Sequence, residues 1–347
     1  MRIPFQLLMI TLLLSTLAAS VLSGLTGAVQ ISLGDAIESI MQSITSATAG
    51  QAANVNSETS LSTLVLFELR IPRIALALMV GCILAQCGAV LQGLFRNPLA
   101  DPGIIGVSSG AAVGAIIAIV LLPENWKAWS VPVCAFAAGL SATLLVYTLA
   151  RSARGTSVVI LLLAGVAVSA FSGAAIGLLT YFADDNSLRE LSVWQMGSLS
   201  KAKTEQLPLV FVCCLALIIL FQKHINALNA LLLGESEARH MGIDVERFKR
   251  NTIVLVAIGV GICVAYTGII GFIGLVVPHV VRMLCGPNHR FLLPISAVMG
   301  GLLLILSDLL ARTLIAPSEL PIGLITALIG APFFVSLLLR ERKRWAL

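Results

Sequence analysis

The chain has 347 residues, of which 58% are hydrophobic and 11% charged, with a formal net charge of +5 and a mean hydropathy of +0.99. A soluble domain carries about 25% charged residues, so this composition argues against a soluble protein. The apolar runs are continuous rather than alternating, which excludes a transmembrane β-barrel.

A helix crossing a bilayer needs roughly 20 residues, so about ten spans fit and the expected class is an all-α polytopic membrane protein. Spans are predicted at 5–25, 64–92, 103–122, 130–150, 157–182, 205–222, 251–272, 274–285, 292–312 and 321–340. The first resembles a signal peptide, with only Arg2 ahead of it and Ala19-Ser20-Val21-Leu22-Ser23-Gly24 at its end. Its apolar core is longer than the roughly 7–15 residues of a signal sequence, so a retained span is expected. Gly106, Gly110 and Gly114 recur every four residues, as do Gly173 and Gly177; in lipid that spacing lets helices pack closely. Gly268, Gly271 and Gly274 read as a tight turn between spans seven and eight. The eighth span is short and suits a tilted or partial helix buried among the others.

Orientation follows from the positive-inside rule. With the N-terminus in the cytoplasm, Arg70, Arg73, Lys127, Arg189, Lys201, Lys203 and Arg312 fall outside. The other lysines and arginines, more than twice as many, fall inside. They include Arg151, Arg154, the five in 223–250 and the C-terminal Arg340, Arg342, Lys343 and Arg344. Both termini are then cytoplasmic, and the positive charge reflects topology rather than nucleic-acid binding.

No lysine follows a glycine, so the chain has no P-loop and cannot hydrolyse ATP by that route. There is no HExxH, no GxSxG nucleophile elbow and no GxGxxG opening a helix, so no catalytic residue is expected. Asp308 and Arg312 are the clear mid-span ionisable candidates, and their spacing of four predicts that they pair with each other. Cys82, Cys87, Cys134, Cys213, Cys214, Cys263 and Cys285 lie in apolar runs without CxxC spacing and read as packing residues. His224, His240 and His289 fall at cytoplasmic ends, where solvated or capping roles are the default, and His279 reads as buried and hydrogen-bonded. With no His/Cys cluster, neither a metal nor any other cofactor is expected.

The long polar stretch is 223–250. Leu228, Leu231 and Leu232 have helical spacing, with Asn226 as a candidate N-cap and Gly234 as the stop. Glu235 and Glu237 open a second short helix, Glu235 pairs with Arg239, Ala238 and Met241 form a small apolar face, and Gly242 ends it. Two such helices bury little alone. They suit the bilayer surface or a groove on another protein, and their mixed charge favours the protein.

The run Leu69-Arg70-Ile71-Pro72-Arg73 and then Gly88-Ala89-Val90-Leu91-Gln92-Gly93-Leu94-Phe95-Arg96-Asn97-Pro98-Leu99-Ala100-Asp101-Pro102 resembles the FecCD family of permeases. So do Leu231-Leu232-Leu233-Gly234, Gly271-Phe272-Ile273-Gly274-Leu275-Val276-Val277-Pro278-His279, Glu319-Leu320-Pro321-Ile322-Gly323 and Gly330-Ala331-Pro332. These are membrane subunits of ABC importers for iron-siderophore complexes, haem and cobalamin. The resemblance implies a cobalamin-importer-permease-like fold of ten helices, forming a single transmembrane permease domain over 1–347 in the inner membrane. It implies a second permease subunit as a homodimer partner, two cytoplasmic ATP-binding subunits and a periplasmic substrate-binding protein.

Carried over by position, the resemblance implies that Arg70, Arg73 and Arg312 grip acidic residues of the binding protein. Exposed arginines suit such bidentate bonds. Anchoring of the second span is the other reading for Arg70 and Arg73. A cytoplasmic gate is implied at Asn97 and Leu99 and at Thr156 and Ser157. ATPase coupling is implied at Leu228, Leu231, Leu232, Gly234, Glu235, Ala238, Arg239, Met241 and Gly242. The resemblance is strongest to the haem branch, with ferric siderophore and cobalamin as alternatives. An ion-coupled carrier using Asp308 or Glu68 is the reading from a different class.

Overall fold

A computed structural model of the chain describes residues 4–27, 29–49, 62–152 and 155–345. Arg2 and Arg154, counted above for orientation, lie outside the described residues. The helices are α1 (Phe5–Leu25), α2 (Leu33–Ala49), α3 (Ile71–Leu94), α4 (Val107–Leu121), α5 (Lys127–Ala150), α6 (Val158–Tyr181) and α7 (Asp185–Gln195). They continue as α8 (Leu207–Lys223), α9 (Ile225–Leu231), α10 (Glu235–His240), α11 (Val245–Thr267), α12 (Ile273–Cys285), α13 (His289–Thr313) and α14 (Ile322–Trp345). Between α5 and α6, β1 (Arg151–Ser152) pairs antiparallel with β2 (Gly155–Thr156), Arg151 opposite Thr156.

The protein is an all-α polytopic membrane protein. Seven helices are long and apolar enough to cross a membrane, and shorter apolar stretches in α4, α12 and α14 accompany them. A helix stands at each of the ten expected span positions, and seven of the ten are long and apolar enough to cross a membrane. Two further helices were not anticipated, α2 and α7. Each is polar along one side, and α7 is started by Asp184, whose carboxylate accepts from the Ser187 amide at 3.1 Å.

At the centre stands α3, buried along almost its whole length from Leu76 onward. It packs against α13, α12, α11 and α8. Two of these contacts are backbone to backbone. A Cβ on Gly81 would lie 2.3 Å from the Gly300 carbonyl oxygen, and one on Gly88 would lie 1.8 Å from that of Gly274. Alongside, Gly110 and Gly114 of α4 seat against Ala138 and the Cys134 carbonyl of α5. Small residues thus replace the water-driven core of a soluble protein with close van der Waals fit.

Not every glycine does what its spacing suggests. Gly106 has φ +85° and ends the tight turn Pro102–Ile105 rather than joining the α4 stripe. A Cβ on Gly173 or Gly177 would meet nothing within 4 Å among the described residues, so neither serves close packing there. In the turn before α12, the left-handed positions are Gly268 (φ +68°) and Phe272 (φ +68°), not Gly271 or Gly274. A bulky residue at positive φ is strained; here the Phe272 ring fills the space left by Gly330. Gly274 belongs to α12, where its lack of a side chain lets α12 meet α3. None of the seven cysteines is in a disulfide, and Cys87, Cys214 and Cys263 are buried, as packing residues should be.

The helix polarity gathers two polar clusters at opposite ends of the bundle. One holds the ends of α1 and α13 and the start of α3. The other holds the end of α3, the hairpin, the 223–250 segment and the starts of α11 and α13.

Candidate functional site

At the first end, the helix C-terminus of α1 leaves carbonyls without intrahelical donors. Two guanidiniums supply them. Arg70 donates from Nη1 to the Gly24 carbonyl at 2.6 Å and from Nη2 to the Val29 carbonyl. Arg312 donates to the carbonyls of Ser23 and Thr26 at 3.1 Å each, and to Ser23 Oγ at 2.6 Å. Gly27 makes room for both, since a Cβ there would lie 2.9 Å from Arg70 Nη2 and 3.3 Å from Arg312 Nη1.

The same cluster holds two carboxylates. Asp308, buried, accepts from Arg312 Nε at 3.1 Å, so the expected pairing along α13 is present. Asp308 also accepts from Arg73 Nε at 2.9 and 3.1 Å and lies 2.8 Å from Arg73 Nη2. Arg73 reaches further, donating from Nη1 to both oxygens of Glu319 at 3.0 and 2.8 Å. The expectation that Arg70, Arg73 and Arg312 are exposed is corrected here. Arg70 and Arg312 are only 5% and 7% exposed, because helix-end carbonyls and a buried carboxylate require donors where water is scarce. Only the Arg73–Glu319 pair meets solvent, on its glutamate side.

At the opposite end, α3 stops at Leu94. Asn97 turns the chain by accepting the Leu99 amide on its side chain at 2.9 Å. Asp101 accepts the Gly103 amide at 2.7 Å; burial raises its pKa and that amide opposes the shift. Leu99 lines a small recess together with Leu275, His279 and Phe333. Ser157 is the N-cap of α6, accepting from the Ile160 amide at 3.4 Å, as its position suggests. Asn97 and Leu99 on one side, and Thr156 and Ser157 on the other, have separate hydrogen-bond partners.

Thr156 is held from α11. Its amide and its hydroxyl both donate to Glu246 Oε2, at 2.9 and 2.7 Å. Its carbonyl accepts from Lys249 Nζ at 3.1 Å. Lys249, 3% exposed, also lies 2.8 Å from Glu235 Oε1 and 3.6 Å from Glu246 Oε1. One lysine thus joins the hairpin to α10. Sequence reading passed over Lys249 and Glu246; a lysine three residues after a glutamate was visible, but its burial was not.

The segment itself differs from expectation in which side faces out. Leu228, Leu231 and Ala238 are fully buried and pack inward. Leu232, Leu233 and Met241 are exposed, Leu233 by 71%. Asn226 is not the cap: α9 begins at Ile225, after His224. Gly234 (φ +129°) begins α10 and Gly242 (φ +82°) follows its end. The Glu235–Arg239 pair is present at 3.9 Å.

His289 is buried rather than solvated. Its amide donates to Asn229 Oδ1 of α9 at 2.9 Å, and its Nδ1 lies 3.0 Å from the same oxygen. Its ring rests on Gly93, where a Cβ would come within 2.4 Å of Nε2. His224 stacks edge-on to Phe248, and burial lowers its pKa, favouring neutral imidazole. His279 lies edge-on to Phe333, and His240 is exposed. Among the described residues no group of three His, Cys, Asp or Glu could hold a metal. The string Gly106-Val107-Ser108-Ser109-Gly110 spells GxSxG, but it opens a membrane helix from a turn, not from a strand as a nucleophile elbow requires.

Comparison with known proteins places these features. Residues 12–340 match the model of the FecCD transport family. The chain is 48% identical over 280 residues to the hemin transport system permease protein HmuU of Yersinia pestis, covering 80% of this chain and 84% of that protein. It is 45% identical over 286 residues to the cobalamin import system permease protein BtuC of Halobacterium salinarum, covering 80% and 74%. A solved metal-chelate type ABC transporter in an inward-facing conformation superposes with a TM-score of 0.82 at 33% identity, covering 96% of this chain and 98% of that one.

Proposed function

This chain belongs to the FecCD transport family and is a permease of an ABC importer, and from that premise we propose that it carries haem or a related iron complex into the cytoplasm. The observation that supports haem is the 48% identity to a hemin permease. Ferric siderophore and cobalamin are the alternatives within the family. The experiment reconstitutes the permease with its ATPase in liposomes and follows hemin and cobalamin uptake separately. Hemin uptake that requires ATP supports the reading, whereas uptake of cobalamin alone, or uptake driven by an ion gradient without the ATPase, refutes it.

In this reading residues 1–347 form one transmembrane domain, paired with a second copy and served by two ATP-binding subunits and a periplasmic binding protein. The 223–250 end faces the cytoplasm, which agrees with the excess of Lys and Arg there. The ATPase seats on the outward side of α9 and α10, through Leu232, Leu233, Arg239 and Met241, while Leu228, Leu231 and Ala238 anchor those helices to the bundle. Gly234 sets the angle between them, and Gly242 the turn from α10 into α11. Glu235 faces the bundle through Lys249. Asn97, Leu99, Thr156 and Ser157 form the cytoplasmic gate. At the periplasmic end, the binding protein meets the Arg73–Glu319 edge, with Arg70 and Arg312 supporting it from beneath.

A further inference from the structure

We propose that Lys249 is the positioning residue that carries motion of α10 to the gate hairpin, separately from α9. The proposal rests on the reading that α9 and α10 receive the ATPase. The two helices are adjacent in sequence but hold different parts of the bundle. α10 presents Glu235 to Lys249 Nζ at 2.8 Å, and the same ammonium bonds the Thr156 carbonyl at 3.1 Å. α9 presents Asn229 to His289, whose ring rests on Gly93 at the end of α3, just before Asn97. So α10 addresses the 155–157 side of the gate and α9 addresses the 97–101 side.

A lysine suits this position because its ammonium carries several donors: it bonds Glu235 of α10 and the Thr156 carbonyl of β2, and ion-pairs at 3.6 Å with Glu246 on its own helix α11. Its ammonium is almost fully buried, so it cannot follow one partner without loosening its hold on the others or dragging them along. Glu246 completes the grip by accepting both the amide and the hydroxyl of Thr156. Gly155, at φ +113°, lets that carboxylate approach, since a Cβ there would lie 2.8 Å from Glu246 Oε1. A displacement of α10 is therefore delivered to the residue beside the α6 N-cap.

The test uses the full chain with its ATPase in nanodiscs and liposomes, with hemin as the transported probe. Lys249→Met is expected to lower hemin moved per ATP hydrolysed by about tenfold, while Lys249→Arg, which keeps the charge and multiple donors, retains most of the coupling. Hydrogen exchange gives the readout that a merely structural role would not move. On ATP addition, the amides of 155–157 respond in the wild type but not in Lys249→Met, and those of 97–101 respond in both. A wild-type coupling ratio in Lys249→Met, or joint loss of both responses, overturns the proposal. If Lys249→Met does not fold, Gly155→Ala crowds Glu246 without burying an unpaired charge; unchanged coupling there overturns the proposal equally. A wild-type complex in which hemin uptake and both responses are indifferent to ATP overturns the coupling reading itself, and the relay with it.

Discussion

The two polar clusters are built from similar chemistry and yet differ in how fully they are satisfied. At the arginine end, three guanidiniums, two carboxylates and the carbonyls of α1 leave every cation with more than one partner. At the opposite end a single buried lysine is shared by two half-exposed glutamates and a backbone carbonyl. A saturated network of planar, forked donors holds one geometry. One flexible ammonium with acceptors on α10 and on β2 can exchange emphasis between them. The difference teaches that the first end is a clamp on helix termini and the second a joint.

Mutations can break or sharpen that contrast. The largest effect is expected for Arg312→Ala, which strips α1 of two carbonyl partners and leaves Asp308 partly uncompensated, costing about 3–5 kcal/mol as for other buried pairs. The thermal unfolding midpoint in detergent checks this, and an unchanged midpoint would dissolve the clamp. Glu235→Gln at the joint is expected to cost less, about 1 kcal/mol, since Lys249 keeps Glu246 and the Thr156 carbonyl. If its midpoint falls as far as that of Arg312→Ala, the two ends are not different in kind.

Leu233→Asp alters only an exposed side chain, so stability should stay within about 0.5 kcal/mol, while co-purification of the ATPase falls severalfold. Retention of the ATPase at the wild-type level would remove Leu233 from the docking face. The smallest effect is expected for Glu124→Gln, whose partner Lys127 keeps Glu190 nearby at 3.6 Å. Exposed ion pairs of this kind contribute little, and neither midpoint nor transport should move.

The ten apolar helices were legible because each is a continuous apolar run, a local property of sequence. The glycine punctuation of the 223–250 segment was legible too, since positive φ at Gly234 and Gly242 is a local demand. What escaped was set by distant partners. Arg73 meets Asp308 across 235 residues, so its burial could not be read from its neighbours, and it looked like an exposed interfacial arginine. The same holds for Leu228 and Leu231: their spacing defined a face, but only the position of α9 against α3 and α13 decided that this face turns inward. α2 and α7 were missed because amphipathic helices lack the long apolar run that marks a span.

The notched contacts of α3 also bear on the order in which the chain is assembled. Gly81 and Gly88 are bare backbone facing Gly300 and Gly274, residues synthesised long after α3 has left the ribosome. Spans insert individually before they associate, so a nascent α3 waits in lipid with its most intimate surfaces unmatched. The bundle's keel is laid first and fastened last. Truncated chains ending before residue 274 should therefore insert but remain loosely associated, prey to membrane proteases until α12 and α13 arrive.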